Sequence, residues 1–280
     1  MAARIERLAT GSDLLPALAR LTRREPHASI SVRYRAARLE AGLPDGGTLF
    51  VRRTEAGVDA ALWLGSNVVP CGAHDALPEF ARILATHGRR CTSILGPDHL
   101  VADLWRIVAP LWPRPREIRR HQPLLAATGE CSVEPNPRVR IAEMGDADAV
   151  AASARRMYRE EVGYDPRRFG LAYERHMRER VAQGRSYVIT AGDRVGASAH
   201  FICEVGILVD DLVELHGVWV DPRLRGRGLA SGAMAAVLAD VRRRFAPHIS
   251  LYVNADNDAA LRLYERTGFT RVGQFATVIM

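Results

Sequence analysis

Val218–Leu238 reads VWVDPRLRGRGLASGAMAAVL. A run rich in valine and tryptophan ends at Val220, and Asp221-Pro222 turns the chain. Arg225-Gly226-Arg227-Gly228-Leu229-Ala230 then opens a helix with a small-residue face: Ala230, Gly232, Ala233, Ala235 and Ala236. The first N–H groups of a helix lack intrahelical partners, and its dipole is positive there. Glycine lets such a backbone close on an anion. The stretch therefore predicts a strand, a tight turn and a helix N-terminus that cradles a pyrophosphate without lysine or magnesium. Arg225 and Arg227 add charge at its rim. Plain close packing of helix on strand also fits the glycines. A dinucleotide fingerprint does not fit, because the turn is too short and Asn254 and Asp256, rather than a lone acid, follow the next strand.

Downstream lies Asn257-x-x-Ala260-x-x-Leu263-Tyr264-x-x-x-Gly268-Phe269. Asn257 suits a helix cap. Ala260, Leu263 and Tyr264 fall on one helical face by their spacing, and Gly268 stops the helix. Tyr264 on such a face also fits a packed aromatic.

RGRGLA, followed about thirty residues later by NxxAxxLYxxxGF, resembles the GNAT N-acetyltransferase superfamily over roughly Arg138–Met280. More narrowly, the chain resembles actinobacterial-type two-part proteins with a C-terminal GNAT domain behind an uncharacterised N-terminal one. The resemblance implies acetyl-CoA, or another acyl-CoA, as donor. It places the pyrophosphate on the backbone of Arg225, Gly226, Arg227, Gly228, Leu229 and Ala230. It pairs the pantetheine arm with Val218, Trp219 and Val220 and brings Asn257 to the CoA arm. Tyr264 is implied as the general acid beside the thioester sulfur.

Acyl transfer to an amine needs somewhere for the amine proton to go. Period-2 alternation predicts Glu214, His216 and Val218 on one strand face. His216 has the better ordinary pKa for a base near neutrality, and Glu214 serves if burial raises its own. Both remain candidates. Glu204 on the preceding strand is a candidate for the acceptor site, or a structural residue. Glu160-Glu161 read as a solvated helix end that could also rim a cationic acceptor. Arg242-Arg243-Arg244 read as charge that offsets a helix dipole.

Working outward, the expected order of the C-terminal half is βααβββαβαβ. Strands are expected at Val139–Ala142, Ser186–Ala191, Val195–Glu204, Val209–Val220, Ile249–Val253 and Thr270–Val278. One helix is expected over Pro166–Ala182, and a hairpin turn at Gly192-Asp193. The N-terminal half repeats the rhythm more faintly, with strands at Thr48–Arg53 and Val58–Val69. It has no glycine-rich counterpart of Arg225–Ala230, and Leu95-Gly96-Pro97-Asp98 is read as the equivalent stretch. Ala127–Pro137, ATGECSVEPNP, has linker chemistry. The expectation is an α/β chain with mixed sheets, built as tandem GNAT-like folds. Residues 1–130 form a degenerate domain, and 131–280 carry the acyl-CoA site.

Composition narrows the chemistry. Among 280 residues there is no lysine, and all 39 basic residues are arginine. Schiff-base chemistry and phosphate-loop kinases or ATPases are excluded. Cys71, Cys91, Cys131 and Cys203 form no CxxC pair, and the nine histidines show no metal spacing, so no metal is expected. The cysteines read as buried apolar residues. Met1–Arg20 mixes arginine with Glu6 and Asp13 and lacks a signal-peptide core, and no apolar run reaches the ~20 residues of a membrane span. The expectation is a cytoplasmic protein without membrane contact.

The reading that follows is a CoA-dependent N-acyltransferase acting on a small-molecule or peptide amine. Residues 1–130 hold 18 Arg and 13 acids, most of the +7 surplus. That surplus is the ground for one alternative, a GNAT-like transferase that uses an aminoacyl-tRNA. The low aromatic content, 6%, weighs against it. A non-catalytic acyl-CoA-binding module is the second alternative. Acceptor identity, acyl length and oligomeric state do not follow from the residues.

Overall fold

A computed structural model describes residues 3–43 and 46–280. In chain order the elements of the first half are β1 (Arg4–Arg7), α1 (Leu15–Thr22), α2 (Pro26–Glu40), β2 (Thr48–Thr54), β3 (Gly57–Leu64), β4 (Asn67–Gly72), α3 (Leu77–His87), β5 (Ser93–Pro97), α4 (Asp98–Val108) and β6 (Glu117–Ala127). Those of the second half are β7 (Arg140–Ile141), α5 (Ala147–Val162), α6 (Ala172–Ala182), β8 (Ser186–Thr190), β9 (Ala199–Val209), β10 (Leu212–Val220), α7 (Leu229–Arg244), β11 (His248–Tyr252), α8 (Asp258–Arg266) and β12 (Phe269–Ile279). Each half runs βααβββαβαβ, so the duplication seen faintly in the sequence is explicit in the elements.

Three expected elements divide differently. Val58–Val69 is two strands, because Gly65-Ser66 turns the chain between β3 and β4. Val209–Val220 is the end of β9 and all of β10, with Asp210 at φ 51 in the turn. Asp210-Asp211 lacks glycine, so the turn signal was missed; a short acidic side chain tolerates the left-handed region. Pro166–Ala182 is a 3₁₀ turn at Pro166–Phe169 and then α6, parted at Gly170, φ 90.

The chain forms two compact units. One comprises Met1–Ala126, Tyr252–Asp258 and Arg271–Met280, and the other Ala127–Leu251 and Ala259–Thr270. Unlike a single cut near residue 130, this division counts the last strand with the first unit.

In the first unit the strand order is β1-β2-β3-β4-β5-β12-β6. Strand β12 pairs antiparallel with β5, from Phe275 opposite Pro97 to Ile279 opposite Ser93. Alternation along the strands makes two apolar faces. Phe50, Leu62, Val68, Ile94, Ala276 and Val278 pack with Leu77, Phe80 and Leu84 of α3 and Leu100 and Leu104 of α4. Leu49, Val51, Ala61, Trp63 and Val69 take the opposite face, with Leu15 and Leu18 of α1 and Val32 and Ala36 of α2.

In the second unit the order is β11-β10-β9-β8-β7. Val188, Ile202 and Trp219 pack under α5 and α6 with Val150, Ala154, Met177 and Val181. Helix α7 buries Met234, Val237, Leu238 and Val241. The Tyr187 hydroxyl donates to Asp240 of α7 at 2.9 Å. Asp146, fully buried, accepts from Arg140 at 2.6 Å and from the N–H groups of Glu143 and Gly196. Burial opposes ionisation of this carboxyl, but those donors outweigh it and hold its pKa at about 2. No helix among the described residues is long and apolar enough to cross a membrane.

Candidate functional site

Strand β10 pairs parallel with β11 through Leu212, Val213 and Glu214. It then continues six residues to Val220, past the last of these pairs. Along β9, Glu214 lies opposite Ile207, His216 opposite Glu204 and Trp219 opposite Ile202, with register shifts after Glu214 and after His216. Gly217, at φ 61, supplies the extra residue of the second shift. This corrects the expected alternation. Ile202 and Glu204 share a face of β9, so Trp219, not Val218, follows His216 on that face of β10. A bulge inserts one residue and shifts the side chains beyond it.

The first shift leaves room for an imidazole. A Cβ on Gly206 would lie 2.2 Å from His216 Nδ1, so only glycine lets the ring rest against β9 there. His216 Nε2 is 2.6 Å from Glu214 Oε1. The Glu214 side chain is 5% exposed while that of His216 is 42% exposed, so the pair has a buried carboxylate and a ring that solvent reaches. Burial pulls the His216 pKa down, but the hydrogen bond and charge of Glu214, with the charge of Glu204, outweigh it and raise it. Burial raises the Glu204 pKa, against the pull of His216 and Arg180. A Cβ on Gly217 would meet Glu204 Oε1 at 3.4 Å and the Met157 methyl at 3.6 Å.

Helix α6 adds residues that the sequence reading passed over. Burial raises the Tyr173 pKa, and Glu204 adds to the rise. Burial lowers that of His176, and Arg180 and His216 act on it too. Tyr173, His176 and Arg180, spaced by three and four, lie along one side of α6. That spacing was the available signal, but without a tertiary frame it is indistinguishable from an ordinary amphipathic stripe.

Beyond Val220 the chain turns through Pro222–Leu224, capped by Asp221, which accepts from the Arg223 N–H at 3.0 Å. The Arg223 guanidinium and that N–H, working against burial, hold the Asp221 carboxyl at about 2. Gly226 and Gly228 follow at φ 74 and φ 77, and Gly228 is the left-handed cap of α7, with no side-chain hydrogen bond at that cap. A Cβ at either glycine would meet no atom within 4 Å, so backbone conformation is what demands glycine. Arg227 is exposed. The Arg225 guanidinium donates to Val220 O at 3.1 Å and to Glu160 at 2.6 Å, which ties the end of α5 to the loop.

Tyr264 is 6% exposed and its ring packs on Phe269 at 5.4 Å. Burial, then Cys203 and Glu161, push its phenol well above the ordinary tyrosine value. Gly268, at φ 85, follows the helix end as expected. A Cβ there would meet Gly129 O at 2.7 Å. The Asn257 N–H donates to Asn254 O at 3.0 Å in the turn before α8. Of the cysteines, Cys71, Cys91 and Cys203 are buried and Cys131 is half-buried. Among the described residues no group of three His, Cys, Asp or Glu side chains could hold a metal ion.

The first unit differs at the matching place. By element order the counterpart of the β10–α7 turn is the β4–α3 turn, Gly72–Ala76, and not Leu95–Asp98, which belongs to β5 and α4. It has one glycine. Asp75 and Glu79 lie in the first turns there, and both are drawn to Arg52. Acidic side chains at a helix N-terminus repel a phosphate.

Residues 152–269 match the acetyltransferase (GNAT) family. This segment is a GNAT domain. Residues 47–150 match a domain of unknown function, DUF4081. The chain is 48% identical over 58 residues to a mycothiol acetyltransferase of Thermobispora bispora, covering 21% of this chain and 20% of that one. It is 44% identical over 61 residues to the Brachybacterium faecium protein of the same name, covering 22% and 18%. The match thus spans about a fifth of these relatives. Among solved structures, a Drosophila protein aligns over 100% of this chain and 99% of its own, with TM-score 0.66 and 14% identity. A tandem GNAT protein from the clavulanic acid biosynthesis pathway aligns over 99% and 98%, with TM-score 0.55 and 15% identity. At these identities the likeness is one of fold. The GNAT domain and its DUF4081 partner together have the tandem GNAT architecture that the duplicated element order implied.

Proposed function

We propose that the GNAT domain transfers an acyl group, acetyl in the first instance, from acyl-CoA to a primary amine. The observation that carries the reading is the loop Arg225–Ala230. Its two glycines, in left-handed conformation, open α7 directly after a strand whose described parallel pairing stops six residues short of its end. Backbone N–H groups of 225–230 would receive the pyrophosphate, and Val218–Val220 would pair with the pantetheine arm, near Asn257. CoA supplies the thioester; the chain supplies the proton paths.

In this reading His216 takes the amine proton. With Nε2–H donating to Glu214, the free lone pair is on Nδ1, and the imidazolium that forms faces the carboxylates of Glu214 and Glu204. Tyr264, kept protonated by burial, gives its proton to the departing thiolate. The attacking nitrogen forms a bond to the acyl carbon, the tetrahedral adduct collapses and the C–S bond breaks. The relatives are named mycothiol acetyltransferases, so thiol-bearing amines belong first in the acceptor panel.

The test incubates radiolabelled acetyl-CoA with primary amines, cysteinyl amines, amino sugars, peptides and aminoacyl-tRNA. N-acetylation of a small amine is expected. Labelling of aminoacyl-tRNA alone would select the tRNA reading. CoA binding with no transfer to any acceptor would select the non-catalytic one.

A further inference from the structure

The first unit contributes one buried polar side chain whose two bonds reach segments on either side of α8. Gln122, on β6, is 3% exposed. Its amide N–H donates to Asn254 Oδ1 at 2.8 Å. Its carbonyl accepts from the Thr277 hydroxyl at 2.6 Å, and Thr277 is 9% exposed. These partners lie 132 and 155 residues away in sequence. Asn254 precedes α8 and Thr277 lies on β12, which follows it. All three residues belong to the first unit, whereas Ala259–Thr270, most of α8 with Tyr264, is counted with the second.

The backbone repeats the arrangement. The N–H groups of Val253 and Ala255 donate to Pro123 and His121 on either side of Gln122, at 3.2 and 3.0 Å. The carbonyl of Asn254 then accepts from Asn257 in the turn that launches α8. Beyond the helix, Phe275–Ile279 are held by β5. A buried amide with an oriented partner at each end has little freedom, and losing either partner leaves a buried polar group unsatisfied.

We infer that Gln122 is a positioning residue of acyl transfer, fixing the segments that enter and leave α8 and thereby the placement of Asn257 and Tyr264. This rests on the reading of Tyr264 and Asn257 given above.

The test uses the full chain with Gln122→Met, which keeps length and removes both bonds, Thr277→Val, which removes one, and Thr277→Ser, which keeps the hydroxyl. Backbone hydrogen exchange is followed by mass spectrometry, with and without CoA. Gln122→Met should speed exchange in residues 254–266 while residues 229–244 stay as in the parent. Thr277→Val should do so less, and Thr277→Ser not at all. The turnover number for the amine found in the acceptor panel should fall about tenfold in Gln122→Met, since small misplacements of reacting groups cost that much or more. Unchanged exchange in both Gln122→Met and Thr277→Val overturns the inference, as does exchange that rises equally in 229–244. So does local loosening with full turnover where Tyr264→Phe loses it. If Tyr264→Phe keeps full turnover, or no amine is acetylated, the transfer reading fails and the exchange data alone decide whether Gln122 holds α8.

Discussion

A tyrosine and a histidine carry the chemistry proposed here, and their surroundings set how each can be tested. Tyr264 is buried against Phe269 and its phenol stays protonated far above neutrality. Tyr264→Phe should lower kcat by about 10- to 1000-fold with CoA affinity nearly unchanged, the span that general acid catalysis is worth. Steady-state kinetics beside calorimetry separates the two, and full kcat would return Tyr264 to packing. For His216 the sign follows from the state that works. Neutral imidazole accepts the proton, and Glu214 with Glu204 raises the pKa. The rising limb of kcat/KM should therefore lie above the ordinary histidine value of about 6.5. His216→Ala should remove that limb and leave the amine's own at higher pH. If Glu214→Gln removes the limb and His216→Ala does not, the carboxylate is the base. Gly206→Ala puts a methyl where the ring now lies and should cut kcat by about 10- to 100-fold without weakening CoA binding. A Gly206→Ala enzyme with parental kcat would mean that the ring position is immaterial.

In the proposed reading, donor binding turns on the strand–loop–helix from β10 to α7. Gly228 is left-handed, a conformation that costs an ordinary residue about 1–2 kcal/mol and a β-branched one more. Gly228→Val should therefore misplace the first N–H groups of α7 and weaken CoA binding by about tenfold or more, roughly 1.4 kcal/mol. Chelator should change nothing, because the cradle is backbone. Calorimetry reads both, and a folded Gly228→Val protein with parental affinity would remove the loop from the donor site. The loop was legible because glycine at a positive φ is a local requirement, visible in the letters themselves. The β10 bulge was not. Its residues, Leu215-His216-Gly217-Val218, alternate well enough to read as regular strand, and only the pairing to β9 reveals the extra residue.

At the scale of the molecule, the last strand is the decisive feature. Phe275, Ala276 and Val278 are buried, and β12 pairs with β5, so the first unit is completed by the end of the chain. Deleting residues 271–280 should lower stability by several kcal/mol, since burying one large apolar side chain is worth about 1.5–3 kcal/mol. Denaturant unfolding measures this. An unchanged midpoint would mean that β12 adds nothing to the first unit. A fragment of residues 1–126, which lacks β12, should likewise be unable to fold alone, with β5 left an open edge.

The letters alone determined the order βααβββαβαβ of the second half, the glycine-rich opening of α7, the helix with Tyr264 and the absence of lysine chemistry; in the first half they merged β3 and β4 into one strand. Each depends on neighbours a few positions apart, through periodicity, φ preference or residue type. Tertiary structure alone decided that Trp219 rather than Val218 follows His216, that Gly206 makes room for the imidazole and that Arg225 is held by Glu160. It also decided that β12 completes the first unit and that Gln122 reaches Asn254 and Thr277. Each of these is a pairing between segments distant in sequence. A strand's own residues state which faces are apolar, but not which strand will lie beside it or in what register, because that is settled by the free energy of the whole packed sheet.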